Sequence, residues 1–360
     1  MRRLMVWVVG SFAFSVGTVV VLIAMSGLLK DQRNSFLREF PPHPVMERDT
    51  LNLIYNSYYL AGGNGHTVYL ANYTTPLQVL IADLRRLDTM RVHLKVKGIM
   101  DQKFWSVRVK VDSPNFYVYD GAVPRIYRGE TGHWSAERYL YDSTYFLDFV
   151  PLDSERFAIR ALGYPVKENV LGRILPDVPH LRMEKGLLEK QVDGMFCTDG
   201  MMHYADDTER LVYLYHYRNE FLVMDTSLRV QYRGHTLDTI SRVKFTAAVL
   251  RSGAEEVFTL SSPPYLVNRL SEVSNGLLYV NSNLLAANEN QGAFDAGSVI
   301  DVYDLQDGRY VLSFYLYHFD RSVRLSEFRV FGDYLVARYE DRLVIYELTS
   351  TLFKTRDGHG

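Results

Sequence analysis

The chain has few of the residues that staple small exported folds and lacks the motifs that announce catalysis. One cysteine, Cys197, occurs in 360 residues, so an intrachain disulfide is impossible and zinc sites built from several cysteines are excluded. Lys and Arg number 40 against 42 Asp and Glu, a net charge of −2. No global field therefore points to nucleic acid, whose binding is dominated by phosphate contacts. The basic pair Arg85-Arg86 reads as solvated surface. There is no G-x-S-x-G, P-loop, H-E-x-x-H or dinucleotide fingerprint. Helical periodicity is also scarce: after the first thirty residues only Pro76 to Leu87 and Met183 to Val192 carry it, and the former reads equally as strand and turn. No cofactor and no metal ion is expected.

What is present is a foldable composition with 47% hydrophobic and 23% charged residues, in a chain of 41.6 kDa. That is enough for one sizeable core or two smaller ones. Without disulfides the fold rests on that core alone. Aromatic residues stand out, with 26 Tyr and 19 Phe against 3 Trp, and most lie in short alternating runs that favour strands.

The longest apolar stretch comes first. Met1-Arg2-Arg3 precedes Leu4 to Leu29, which contains no charge, and Lys30, Asp31 and Arg33 follow. About 20 apolar residues cross a bilayer as a helix, so residues 1–30 read as a transmembrane anchor in contact with lipid. Ala24-Met25-Ser26 also fits a small-x-small cleavage pattern, which leaves a signal peptide as the alternative. No cysteine follows the apolar run, so a lipoprotein anchor is excluded. Arg2 and Arg3 favour a cytoplasmic N-terminus. The expected location is then the inner membrane, single-pass, with the C-terminal domain in the periplasm. Residues 31–49, with Pro41-Pro42-His43-Pro44, read as a stiff juxtamembrane stalk.

From residue 50 the pattern is period two. Val107-Arg108-Val109-Lys110-Val111, Phe157-Ala158-Ile159-Arg160-Ala161 and Leu211-Val212-Tyr213-Leu214-Tyr215 are examples, bounded by Gly, Asp, Asn or Pro. Phe116-Tyr117-Val118-Tyr119-Asp120 leads to Ile126-Tyr127-Arg128-Gly129, and Phe221-Leu222-Val223-Met224-Asp225 leads to Val230-Gln231-Tyr232-Arg233-Gly234. Asp120 to Asp225 and Arg128 to Arg233 are both 105 positions (225 − 120 and 233 − 128). Weaker copies of the strand-then-acid turn end at Asp83, Asp304 and Glu347. Units of about 40–50 residues with several short strands are the signature of propeller blades. The expected fold is all-β, a β-propeller of about six blades over residues 50–350, followed by a polar tail, 351–360. A strand from Thr50 to Tyr55 could complete the last blade and remove an exposed edge. A pair of β-sandwiches is the rival, and it does not account for the spacing.

The runs Leu187 to Gly200 continuing to the Asp225 turn, Ser298 to Gly308, and Phe328 to Leu348 resemble uncharacterised membrane-anchored bacterial proteins with a six-bladed β-propeller-like domain. The resemblance covers most of the chain and its motifs are structural, so it implies a fold and a membrane address and carries no catalytic residues.

Several polar groups are candidates for chemistry. Asp199, His203, Asp206 and Asp207, with His216 one strand on, have residue types that ligate metals or exchange protons. The run Ala205 to Glu209 also sits where a hairpin turn belongs, and Asp forms such turns. Asp301, Asp304 and Asp307 loosely resemble a calcium loop but lack its closing Glu. Cys197 beside Phe196 reads as a small core residue. The polar segment Leu284 to Ser298, centred on Asn288, Glu289, Asn290 and Gln291, is a candidate binding loop. The reading is a membrane-tethered extracytoplasmic binding or scaffolding protein, its ring presenting loops to a protein or peptide partner. The alternative is a cell-envelope hydrolase or lyase with its site at the channel.

Overall fold

A strand sends successive side chains to opposite faces, and here both faces are apolar. Phe116 and Val118 lie in one cluster of buried residues, while Tyr117 between them lies in another. A sheet built this way has to be covered on both sides, and the chain achieves that by placing sheets side by side in a ring.

The computed structural model describes residues 34–98, 104–141, 144–163, 168–243, 247–252, 255–260, 265–320 and 323–349, together with Phe353 and a few positions near the N-terminus. The expected membrane span, Leu4 to Leu29, falls mostly outside the described residues, as does the tail 351–360. Among the described residues no helix is long and apolar enough to cross a membrane.

The described strands form a six-bladed β-propeller. From the innermost strand outward, blade 1 is Tyr58–Asn64, Thr67–Asn72, Gln78–Asp83 and Thr89–His93. Blade 2 is Arg108–Asp112, Asn115–Asp120, Arg125–Glu130 and Ser135–Tyr141, with the short Lys95–Val96 added parallel to its outer edge. Blade 3 is Asp148–Pro151, Phe157–Gly163, Glu168–Ile174 and Leu181–Glu184; blade 4 is Gly200–Ala205, Arg210–Tyr215, Glu220–Met224 and Val230–His235. A hairpin, Ala247–Ser252 with Glu255–Leu260, separates blades 4 and 5. Blade 5 is Asn268–Ser274, Leu277–Ser282, Gly297–Asp304 and Tyr310–Tyr317. Blade 6 takes Glu327–Phe331, Tyr334–Tyr339 and Arg342–Leu348 from the C-terminal end, and Val45–Asn52 from the other end as its outermost strand. Closure therefore uses a strand that begins at Val45 and pairs antiparallel with Arg342–Leu348.

Six clusters of buried residues fill the six interfaces between blades. Those between blades 1 and 2, 2 and 3, and 3 and 4 contain Tyr69 with Val109, Tyr117 with Phe157, and Leu171 with Tyr213. Those between 4 and 5, 5 and 6, and 6 and 1 contain Phe221 with Tyr303, Tyr279 with Phe328, and Leu70 with Ile345. Each such side chain stabilises by about 1.5–3 kcal/mol on burial, and every blade contributes to two clusters. At the inner edge of blade 1 the blades approach so closely that a Cβ on Gly62 would lie 1.9 Å from the carbonyl oxygen of Val111 in blade 2.

The 105-residue echo does not superpose blade on blade. Asp120 ends the second strand of blade 2, whereas Asp225 follows the third strand of blade 4. Asp83, Asp225 and Asp304 share the turn after the third strand, each accepting a backbone N–H two residues on, and Glu347 lies near the end of the third strand of blade 6. Asp120 forms a similar turn one strand earlier, with Ala122 and Val123.

Residues 34–40 lie along blade 5. Ala287 donates to Phe36, and Ser313 donates to Glu39. Phe36 joins Ile240, Val267, Leu284 and Ala286 in a seventh cluster. Arg38 is fully buried and forks onto Asp301, with Nε 2.7 Å from Oδ1 and Nη2 3.0 Å from Oδ2. Its Nη1 donates to Glu289 and to the carbonyl of Leu284. Burial works to lower the Arg38 pKa, but Asp301 and Glu289 outweigh it and raise it. Removing one partner of such a buried group leaves uncompensated charge. Arg38→Ala should therefore cost roughly 3–5 kcal/mol and lower Tm by on the order of 10 °C for a domain of this size, as read by calorimetry.

Candidate functional site

The six innermost strands run side by side around a central channel. Their outer edges pair within the blade, but their inner edges have no neighbouring strand, and free edge groups need partners. Side chains of adjacent blades supply several. Leu60 donates its N–H to Glu327 Oε2 at 2.7 Å, and Val109 donates to the Tyr59 hydroxyl at 2.7 Å. Lys110 Nζ donates to the carbonyl of Phe149 at 3.2 Å. His203 Nε2 lies 2.8 Å from Ser271 Oγ, and Arg329 Nη1 lies 2.6 Å from Glu272 Oε2. Arg160 pairs with Asp199 at 2.6 Å. Each of the six seams thus carries a polar tie.

Strand alternation explains why these groups face the channel. In blade 2, Val109 and Val111 enter the interblade core, which turns Arg108, Lys110 and Asp112 inward. In blade 6, Phe328 and Val330 are buried and Glu327 and Arg329 turn inward. Lys110, His203, Glu272 and Arg329 line both halves of the channel and so form its waist. On one side, where the inner strands begin, is the upper cavity of about 500 Å³. On the other is a lower cavity of about 390 Å³, with Asp112, Asp206 and Asp207 at its mouth.

The waist is electrostatically tight. Burial, followed by Arg329 and Lys110, holds the His203 pKa well below its ordinary value, so the imidazole is neutral. Burial and then Arg329 lower Lys110 to about 8, against the raising effect of Asp148 and Glu272. Burial would lower Arg329, but Glu272 overcomes it and raises it. The Glu272 carboxylate lies 3.9 Å from His203 Nδ1. In the lower mouth burial raises Asp112, with Lys110 opposing and Asp206 adding to the shift.

The upper cavity is more varied. Tyr59, Tyr119, Phe146 and Phe328 form apolar walls. The guanidinium of Arg108 lies 4.2 Å from the ring centroid of Tyr73 and 5.5 Å from that of Tyr59. It has no carboxylate partner among the described residues. Tyr73 and Leu147 of its lining are exposed, as are Trp105 and Tyr145, the chain neighbours of the lining residues Ser106 and Phe146. Trp105 and Ser106 are held by their N–H groups on Asp120 Oδ2, at 2.7 and 2.8 Å.

The residues singled out by sequence are spread along blade 4 rather than gathered. Asp199 precedes the inner strand and binds Arg160, while His216 donates its N–H to the Asp199 carbonyl and places Nδ1 2.8 Å from the Asn268 carbonyl oxygen. His203 lies at the waist, and Asp206 lies in the hairpin turn, accepting from Asp207. In the loop Asn288 to Gln291, Asn288 binds the backbone of Arg38, Glu289 binds its guanidinium, Asn290 caps the short helix Gln291–Ala296, and Gln291 bonds Asp295. This loop holds the chain's own segment 34–40. Cys197 is buried, and its thiol donates to the Asp193 carbonyl. Among the described residues no group of three or more His, Cys, Asp or Glu is placed to hold a metal ion. Arg108, Lys110 and Glu272 were not singled out in sequence; the signal for Arg108 and Lys110 is a charge at every second position of an otherwise apolar inner strand, and Glu272 has no such signal.

No protein family matches the chain in sequence, and no curated protein does. A member of the DUF4221 family from Bacteroides vulgatus ATCC 8482 is similar in structure, with a TM-score of 0.50 and 13% identity, covering 84% of this chain and 97% of its own. A catalytically inactive virginiamycin B lyase from Staphylococcus aureus, solved with quinupristin, aligns with a TM-score of 0.49 and 12% identity over 84% of this chain and 99% of its own. At these identities the likeness concerns the fold alone, and the first agrees with an all-β propeller.

Lys110 provides a check on the waist. Its folded pKa of about 8 lies below the unfolded value of about 10.4. Between those values the unfolded chain binds more protons, so stability rises with pH. The parent's stability should therefore rise relative to that of Lys110→Met as pH goes from about 8 toward about 10.4. Denaturant titrations of both proteins across this range measure the difference.

Proposed function

We propose that this chain is a binding or scaffolding propeller, tethered to the membrane by its N-terminal apolar segment, with the upper mouth of the channel receiving a protein or peptide partner. The observation that carries the reading is the set of exposed aromatic residues beside the upper cavity: Tyr73 in its lining, and Trp105 and Tyr145 next in the chain to the lining residues Ser106 and Phe146. Aromatic anchors beside a pocket are what dominate binding energy at protein interfaces. The opposite mouth combines acidic turns with Gly62, Gly63 and Gly65, and its lining among the described residues holds no exposed aromatic side chain.

Binding is favoured over catalysis because the imidazole and the carboxylate of the waist each have a partner within the protein. Glu272 is bonded to Arg329, and neutral His203 is bonded to Ser271. The membrane address is supported by the uncharged run Leu4 to Leu29 and the arginines before it.

Two measurements test this. A photo-crosslinking amino acid at Trp105 or Tyr145 should trap a partner in intact cells, whereas one at Met90, exposed on the outer strand of blade 1, should not; equal yields at the three positions would contradict the reading. For the address, Tyr317→Cys adds an accessible thiol to a chain whose Cys197 is buried. A membrane-impermeant maleimide should label that variant in intact spheroplasts. Labelling only after lysis would place the propeller on the cytoplasmic side.

A further inference from the structure

The charges lining the upper cavity balance in number but are unevenly paired. Its cations are Arg108, Lys110 and Arg329, and its acids are Asp148, Glu272 and Glu327. Arg329 is paired with Glu272, and Glu327 lies 3.5 Å from Arg338. What remains is Arg108 and Lys110 facing Asp148. With Glu327 drawn to Arg338 outside the lining, Arg108 and Lys110 share one carboxylate, inside a site walled by aromatic rings.

Arg108 and Lys110 are two positions apart on one strand and share its channel face, so their Cα atoms are about 7 Å apart. The two differ in how they are held. Lys110 has one acceptor, the Phe149 carbonyl, and Asp148 acts to keep its ammonium charged. Arg108 offers its flat face to Tyr73 and Tyr59. None of its donors has a hydrogen-bond acceptor among the described residues. A guanidinium stacked by its face keeps its edge N–H groups free, and that edge matches a carboxylate with two parallel hydrogen bonds. Stacking also restricts the side chain before any ligand arrives, which lowers the cost of binding.

We infer that the upper cavity is a carboxylate-binding pocket for an acidic peptide, with Arg108 as the fork that receives the carboxylate and Lys110 as its second cation. This rests on the reading of the upper mouth as the partner-binding face. A single carboxylate matches Arg108, the one lining cation with no acceptor for its donors among the described residues. The rim of Trp105, Tyr73, Tyr145 and Leu147 takes the apolar side chains next to that acid. Lys110 keeps most of its charge at neutral pH, since its pKa is lowered only to about 8.

The test uses the full chain purified in detergent, with random peptides displayed on phage as the probe. Selected peptides should carry an Asp or Glu close to an aromatic residue. Replacing that acid by its amide should weaken binding at least tenfold, and added salt should weaken it as well. In Arg108→Gln the same replacement should have little further effect. Lys110→Met should also lose affinity, and a thermal melt of the same sample separates lost binding from misfolding. Arg108→Lys should recover part of the loss. If the selected peptides are neutral or basic and block crosslinking at Trp105, the carboxylate assignment falls while the partner-binding face stands. If the amide replacement costs as much in Arg108→Gln as in the parent, the assignment again falls. If nothing selected competes with crosslinking at the rim, both the assignment and the face are wrong.

Discussion

A sheet with two apolar faces cannot stop at one layer, and this constraint governs the molecule. Tyr117 faces blade 3 and its neighbours Phe116 and Val118 face blade 1, so no blade is covered until it has a neighbour on each side. Bending the row into a ring covers every face without a terminal cap. The aromatic-rich composition follows, because the space between twisted sheets widens away from the axis and needs large side chains. At the axis the need reverses, and Gly62 lets backbone meet backbone.

The same ring creates the polar channel. Six inner edges converge where no further strand fits, and their N–H and C=O groups would be costly if left unpaired in a confined space. Glu327, Tyr59 and Lys110 meet that need across the seams. Much of the channel's charge is therefore structural, which is why His203 and Glu272 are engaged. Arg108 differs. It is oriented by two rings and satisfies no backbone group, so its placement has no structural account beyond the stacking itself.

How much of this was legible in the sequence depended on range. Alternation is local, so strands and the all-β class could be read directly, and the ring followed from unit length. The 105-residue spacing pointed to repeats but joined turns one strand apart, Asp120 and Asp225, because the same Asp-turn chemistry serves any strand end. The actual repeat is irregular: blades begin at 58, 108, 148, 200, 268 and 327, stretched by a hairpin before blade 5. The site was harder. Asp199, His203 and Asp206 are close in sequence, but an extended strand separates residues four apart by about 13 Å. The partners His203 does meet, Ser271 and Glu272, are in the next blade. Arg38 lay in a segment expected as a stalk, and nothing local reveals that its partners are Glu289 and Asp301.

The outermost strand of blade 6 comes from residues 45–52, while the rest of that blade ends at Leu348. During synthesis the first strand made is therefore the last to find its partner, and nearly the whole chain has to emerge before the ring can shut. Until then blade 1 shows one bare face and the newest blade another, with the Val45–Asn52 edge unpaired. The entropy of joining ends so far apart grows only slowly with separation. The greater hazard is time: an open row of aromatic blades that waits for its final strand is exposed to pairing with other chains. Seating Phe36 and Arg38 against blade 5 places the strand that follows them near its destination before Arg342–Leu348 arrives. The short segment ahead of the ring is thus fixed on blade 5 just before the strand that closes blade 6.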